Sequence, residues 1–320
     1  MRRFDVCNGD ADGLCAVLQW RLAHPAPATL VTGLKRELAL LQTVPAEAGD
    51  EVLVCDLSMQ RNHAALLRLL EAGVNVRYVD HHKVDQVPAH AALQACIDVD
   101  ARVCTSLLMD RLLEGRFRPW ALVGAYGDNL GAVADALADG LGLDDAEREP
   151  LRRLGEGINY NAYGDDASDQ YIAPQPLYAR LAQHAHPLDL LRHDSIGSEL
   201  DALRRSDLQL ALAQPVHAAG SGARWVRLPD AAWARRVIGS FANTLAASEP
   251  LQAHAVLQTA RRGGGYVVSL RAPQATPGGA DEFCRRFGGG GRAGAAGIDH
   301  LPDSELPRFV AELGSARWGG

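Results

Sequence analysis

Phe4-Asp5-Val6-Cys7 passes directly into Asn8-Gly9-Asp10-Ala11-Asp12-Gly13, and residues 14–22 follow with apolar side chains at three- and four-residue spacing. A short apolar run of this kind suits a buried strand, and the spacing behind it suits a helix packed on that strand. The same order recurs twice. Residues 52–55 end in Asp56 and precede the amphipathic stretch 62–71, and residues 76–79 end in Asp80-His81-His82. Alternation of β and α segments predicts an α/β fold with a parallel sheet and helices on both faces. Ligands of open parallel sheets bind beyond the carboxyl ends of the strands, so these three clusters are expected to converge there.

A fourth acid, Asp128, follows the apolar stretch 120–123, whose length leaves strand and helix equally open. Residues 188–212 carry one or two helices rich in leucine and charge, and 214–222 read as a small-residue linker. Beyond it come an expected strand (225–228), a helix (237–247) and two strands (255–259 and 266–270) around the turn Arg261-Arg262-Gly263-Gly264-Gly265. The expected organisation is a catalytic domain over 1–187, a helical connector and linker over 188–221, and a smaller α/β domain over 222–320.

A chain of 320 residues, 47% hydrophobic and 22% charged, is long enough for two domains with real cores and is unlike a disordered or collagen-like sequence. No apolar run reaches the length of about eighteen residues that a membrane span needs. The N-terminus lacks a secretory pattern, so a cytoplasmic location without a membrane partner is expected. Six cysteines without CxxC pairing read as small buried hydrophobes. A net charge of −7 provides no global field for a long polyanion, so a phosphate ligand must be held locally. Only Lys35 and Lys83 of the 32 basic residues are lysines, which reads as compositional bias.

A single aspartate at a strand end is commonly a helix cap, and a lone DxD is commonly a turn. Asp10, Asp12, Asp56, Asp80, His81, His82 and Asp128 gathered at one edge are a different matter. Like charges so close do not all stay ionised unless a cation sits among them. A pair of divalent ions is the simplest answer, and aspartates mixed with histidine suit Mn2+, or less strictly Mg2+ or Co2+. Two such ions about 3.5–4 Å apart generate a hydroxide and clamp the attacking and leaving oxygens of an in-line phosphoryl displacement.

These residues resemble those of the DHH phosphoesterase superfamily in its two-domain DHH-DHHA1 type, named for the triplet that here is Asp80-His81-His82. The resemblance takes in the DxD of Asp10 and Asp12, the lone Asp56, the triplet, Asp128, and the glycine-rich segment 288–297. That segment is similar to the family's GGGH-x-x-AAG, with Arg292 in the place of the histidine. The resemblance implies a Mn2+-dependent phosphoesterase with its site in the cleft between the domains. It implies that Asp56 bridges both ions, that Asp10 holds one, and that Asp12, His81 and Asp128 hold the other. His82 would face the phosphate, and Asp80 would orient the neighbouring histidine. Two positions depart from the pattern. Many members have a histidine where Val6 stands, and the single-strand-exonuclease branch, which lacks that histidine, has an aspartate where Asn8 stands. The first ion is therefore expected to be the looser one.

Arg292 offers a fork of donors suited to phosphate, and Gly290 and Gly291 permit close backbone approach to a ligand. Thr105 and Ser106 open a helix whose donors could meet a phosphate or merely cap it. Asn159, Tyr160, Asn161 and Tyr163 could stack a base or brace an interface. His24, His184, His186, His254 and His300 sit outside any cluster and read as structural or solvated, and Arg261 and Arg262 as exposed. The expected substrate is a small nucleotide or very short oligonucleotide rather than long nucleic acid, since one arginine-bearing loop on an acidic chain holds a phosphate or two. A homodimer is compatible with the sequence. Two alternatives remain open: a single-strand-specific exonuclease, and a nucleotide-binding sensor that has lost turnover at Val6 and Arg292.

Overall fold

In the computed structural model, which describes residues 1–319, the opening run is strand β1 (Arg3–Asn8) and the acidic loop behind it starts helix α1 (Ala11–Ala23). Asp10 makes that transition short, because its Oδ1 accepts the Gly13 N–H at 3.1 Å and caps the helix. The chain continues through β2 (Thr29–Gly33), β3 (Glu51–Cys55), α2 (Met59–Glu71), β4 (Asn75–Asp80) and β5 (Leu93–Ile97). Seven helices follow: α3 (Thr105–Leu112), α4 (Arg118–Gly127), α5 (Gly131–Leu141), α6 (Asp145–Ala162), α7 (Pro174–Leu181), α8 (Pro187–His193) and α9 (Ile196–Leu212). The five strands are parallel in the order β2-β1-β3-β4-β5.

Alternation along the strands feeds two cores. Cys7, Leu53, Cys55 and Val79 pack with Leu14, Leu18 and Leu107 on one face. Val6, Val52, Val54 and Tyr78 pack with Leu66 and Leu69 of α2 on the other. The expected parallel sheet with helices on both faces is present. Strands β2 and β5 are additions to the sequence reading. Both lie at the sheet edges with mostly half-buried or exposed residues, so neither carries an apolar run.

Residues 120–123 belong to α4, which is buried from Trp120 to Gly127 and packs on α1, α3 and α6. A helix enclosed on all sides is apolar all round and loses the amphipathic period that would reveal it. Glycines set how closely α4 approaches α6 and α1. A β-carbon on Gly155 would lie 2.2 Å from the Val123 carbonyl oxygen, and one on Gly127 would lie 2.4 Å from the Ala11 β-carbon.

The chain divides into two compact units, Met1–Ala202 and Leu203–Gly320. The second contains β6 (Val216–Ala219), β7 (Ala223–Leu228), α10 (Ala232–Ser248), β8 (Ala253–Thr259), β9 (Tyr266–Arg271), α11 (Ala280–Arg285), β10 (Gly290–Arg292), β11 (Ala295–Leu301) and α12 (Leu306–Ser315). Its sheet runs β10-β11-β9-β8-β7-β6, antiparallel except for the β7–β8 pair. The stretch 214–222, expected as a linker, is instead largely β6 and its turn into β7. Three of the four β6 residues are exposed on an edge strand, and Gly220 turns the chain at φ +62°, so the stretch is small-residue and polar without being unstructured. The glycine-rich segment is likewise ordered as the β10–β11 hairpin. Among the described residues no helix is long and apolar enough to cross a membrane.

Gly155→Ala forces α4 and α6 apart against a backbone carbonyl that cannot rotate away. Overpacking of this kind costs about 1–3 kcal/mol, and urea denaturation should place the variant at or above the upper end of that range. An unchanged urea midpoint would show that the helix pair has slack.

Candidate metal centre

Three strands deliver their acids to one edge: β1 runs into Asp10 and Asp12, β3 into Asp56, and β4 ends at Asp80 with His81 and His82 behind it. All four aspartates are almost fully buried. Asp56 holds a left-handed backbone conformation, φ +57°, with its N–H donated to the Val79 carbonyl at 3.1 Å. Aspartate adopts that region more readily than most residues, though still at a cost, and such a constraint on a buried side chain accords with a functional position.

Asp12 is held by the start of α3. Its Oδ2 accepts the Thr105 N–H at 2.8 Å and its Oδ1 the Ser106 N–H at 2.7 Å, so the positive end of a helix dipole faces a carboxylate. The Ser106 hydroxyl donates to the Asp12 carbonyl at 2.7 Å, and the Thr105 hydroxyl lies 3.4 Å from Asp56 Oδ1. Both residues are fully buried. In this structure the donors of both residues face the site's own aspartates, Asp12 and Asp56.

The fourth acid arrives on a helix end rather than a strand end. Asp128 is the C-cap of α4, where Leu130 N–H reaches the Ala125 carbonyl at 2.8 Å and Asn129 N–H the Tyr126 carbonyl at 3.2 Å. With Asn129 at φ +63°, these two bonds form a Schellman motif that fixes where Asp128 stands. A carboxylate at the negative end of a helix is unfavourable by itself, and a nearby cation relieves it.

His81 Nδ1 lies 2.9 Å from the Val103 carbonyl oxygen, which in the neutral ring fixes the proton there. Nε2 then faces Asp56 Oδ1 at 3.4 Å and Asp12 Oδ2 at 3.9 Å. Burial works against a charged imidazole, but Asp56, Asp12 and Asp128 outweigh it and bring the His81 pKa up to about 10. Asp56 moves in the same sense. Burial, followed by the charges of Asp10 and Asp12, pushes its carboxyl well above the usual range. His82 is different in exposure: its side chain is 41% accessible, while Nδ1 is tied to the fully buried Asp80 at 2.7 Å.

The side chains fit a divalent cation. Ligand atoms of Asp12, His81 and Asp128 lie within 4.8 Å of one another, as do those of Asp56, His81 and His82. The donors are carboxylate and imidazole, a set suited to Mn2+ or Mg2+. One oxygen of Asp80 is buried without a hydrogen-bond partner, as is the amide oxygen of Asn8, so the edge retains acceptor capacity that the protein itself does not satisfy.

Asp10 stands outside both groups. Its Oδ2 lies 2.5 Å from the ammonium of Lys35, which also reaches Asn159 Oδ1 at 2.8 Å. Burial opposes ionisation of Asp10, but the charge and hydrogen bond of Lys35 prevail and lower its pKa. Lys35 is the site residue that sequence reading passed over. The signal was present in a chain that otherwise uses arginine and places one of its two lysines just beyond β2. Of the polar-aromatic patch, Asn159 holds Lys35, and Asn161 braces the following loop through Ile172 and Tyr171. In the second unit, Gly290, Gly291 and Arg292 form the exposed edge strand β10. Gly291, at φ +150°, approaches β11 so closely that a β-carbon would lie 2.5 Å from the Ala296 α-carbon.

No family model matches the sequence, and no curated protein does either. Solved structures do. A manganese-bound exonuclease RecJ superposes with a TM-score of 0.57 at 19% identity, covering 98% of this chain and 89% of its own. A pGpG-specific phosphodiesterase, PggH from Vibrio cholerae, gives 0.59 at 13% identity over the whole of both chains. An exopolyphosphatase-related protein from Bacteroides fragilis gives 0.52 at 12%, covering 98% and 91%. The fold described above, a five-stranded parallel sheet with helices followed by a second, mixed sheet, is the one these structures share, as the resemblance implied.

Asp128→Asn keeps the shape of the cap and removes its charge, so it should weaken Mn2+ binding at least tenfold in calorimetric titration while leaving the urea midpoint close to wild type. Unchanged Mn2+ affinity would take Asp128 out of the ligand set.

Proposed function

We propose that this protein is a divalent-metal-dependent phosphoesterase acting on a small nucleotide or a very short oligonucleotide. The observation that carries this reading is the pair of ligand groups Asp12–His81–Asp128 and Asp56–His81–His82, joined at His81, with the carboxylates of Asp12 and Asp56 buried and that of Asp128 partly exposed. Asp12, Asp56, His81 and Asp128 would hold the ion, which when bound would supply Lewis-acid polarisation of a phosphoryl oxygen and activation of water. Mn2+ is favoured over Mg2+ by the histidine in the set.

The protein's own side chains supply the remaining steps. His82 keeps Nδ1 on Asp80 and presents the rest of its ring to solvent, so in its protonated form it donates from Nε2 to a phosphate oxygen or to the leaving group. Asp80 is a positioning residue that fixes the ring and stabilises its charge. Thr105 and Ser106 preserve the orientation of Asp12 throughout. Arg292 is proposed to bind a substrate phosphate through its guanidinium, with Gly290 and Gly291 allowing close approach.

The substrate class follows from charge. A net charge of −7 and 6% aromatic residues favour a small substrate over a long single strand, which is held by an extended basic track and stacking aromatics. The similarity to PggH, described as specific for pGpG, favours a dinucleotide-sized substrate. Similarity to the exonuclease RecJ keeps a single-strand exonuclease as the second reading.

A panel of linear dinucleotides, cyclic dinucleotides, single-stranded DNA and polyphosphate, incubated with Mn2+ and read by chromatography, tests the proposal. Turnover of a dinucleotide supports it, processive loss of DNA favours the second reading, and no turnover of any member contradicts both. With the substrate identified, His82→Ala should lower kcat by about 10²–10⁴-fold, the usual worth of a positioned acid, with Mn2+ affinity intact. Arg292→Ala should lose about 2–4 kcal/mol of transition-state stabilisation in kcat/KM, and an unaffected kcat/KM would remove it from the phosphate site.

A further inference from the structure

We propose that the ammonium of Lys35 stands in for one of two divalent ions, so that the centre holds a single divalent cation among Asp12, Asp56, His81 and Asp128. The inference rests on the metal-dependent reading above and concerns how many ions that site accepts.

Lys35 is seated like a bound ion rather than a surface side chain. Its Nζ contacts Asp10 Oδ2 at 2.5 Å and Asn159 Oδ1 at 2.8 Å, and it lies 5.5 Å from the centre of the Tyr163 ring. Its backbone N–H is fixed to the Ala162 carbonyl at 3.1 Å, so the end of α6 anchors both ends of the residue. The other oxygen of Asp10 caps α1 through Gly13. Both carboxylate oxygens of Asp10 therefore have partners, and Asp10 belongs to neither cluster whose ligand atoms come within 4.8 Å of one another.

The neighbouring positions point the same way. Val6 is fully buried in the apolar cluster on the α2 face and offers no ligand. Asn8 contributes only a neutral amide. Asp10 is thus the sole anion among these three β1-derived positions, and one ammonium balances one carboxylate. A divalent ion bound to Asp10 would sit beside a positive charge held by the same oxygen, in surroundings where charges are poorly screened. Across the centre the groups Asp12–His81–Asp128 and Asp56–His81–His82 share His81, whose Nε2 lies 3.4 Å from Asp56 Oδ1 and 3.9 Å from Asp12 Oδ2, and neither group draws on Asp10. Lysine rather than arginine suits this position because an ammonium is a compact point charge with three donors, closer in shape to an ion than a planar fork.

Equilibrium dialysis against Mn2+, combined with electron paramagnetic resonance, counts the ions and reports whether they are coupled. The wild-type protein should bind one Mn2+ per chain, with the spectrum of an isolated ion. Lys35→Met preserves the length of the side chain without its charge and should admit a second, weaker Mn2+ magnetically coupled to the first. Lys35→Arg retains the charge and should bind one. Two coupled Mn2+ ions in the wild type would overturn the inference, as would a single ion in folded Lys35→Met. If Lys35→Met does not fold, the wild-type count decides. Failure of the underlying reading looks different, since the wild type would then retain no Mn2+ at all.

Discussion

Repulsion among buried carboxylates is the constraint that the first unit is built around. Two like charges about 4 Å apart at an effective dielectric of about 20 repel by about 4 kcal/mol, and the buried Asp10, Asp12 and Asp56 follow neighbouring strands, with the partly exposed Asp128 beside Asp12 and His81. Nothing in a hydrophobic core offsets such a term. It must be met locally by hydrogen bonds, helix dipoles, resident cations and bound ions. Each of these devices has a place in the structure. The N-terminus of α3 faces Asp12, Lys35 faces Asp10, and His81 lies between Asp56 and Asp12.

The fold serves that gathering. Parallel strands bring three acid-bearing segments to one edge without any long loop. The buried helix α4 brings the fourth at its C-terminal end, and the glycines of α4 and α6 let the two helices approach closely. Asp56 accepts an unfavourable backbone conformation, which the Val79 hydrogen bond and the surrounding packing hold in place. The asymmetry between Asp10, with its built-in ammonium, and the group of Asp12, Asp56, His81 and Asp128 then gives the two sides of the centre different tasks. One side is neutralised by the protein itself, and the other has space for an ion.

Much of this was legible in the sequence because the strands of a parallel sheet that are covered on both faces are apolar runs, and β1, β3 and β4 each end in acids or histidines. The edge strands β2 and β5 left no such mark, since exposed edges need no apolar run. Strand β6 was hidden for the same reason, in a stretch that reads as linker. Helix α4 was ambiguous because complete burial erases its period. The acids were singled out by their positions after apolar stretches, three of which are strands and the fourth helix α4, but Lys35 was missed because pairing between residues 35 and 10 is a tertiary contact with no local signature. Thr105 and Ser106 were recognised as helix-opening donors, yet what those donors face depends on the path of a loop 93 residues away along the chain from Asp12 to Thr105.

The most direct measurement of the central claim is an anomalous difference map at the manganese absorption edge from crystals equilibrated with MnCl2. A single peak enclosed by Asp12, Asp56, His81 and Asp128, with the Lys35 ammonium still on Asp10, is the result this account predicts. Two peaks, with Lys35 turned away from Asp10, or no peak at this edge of the sheet, would contradict it.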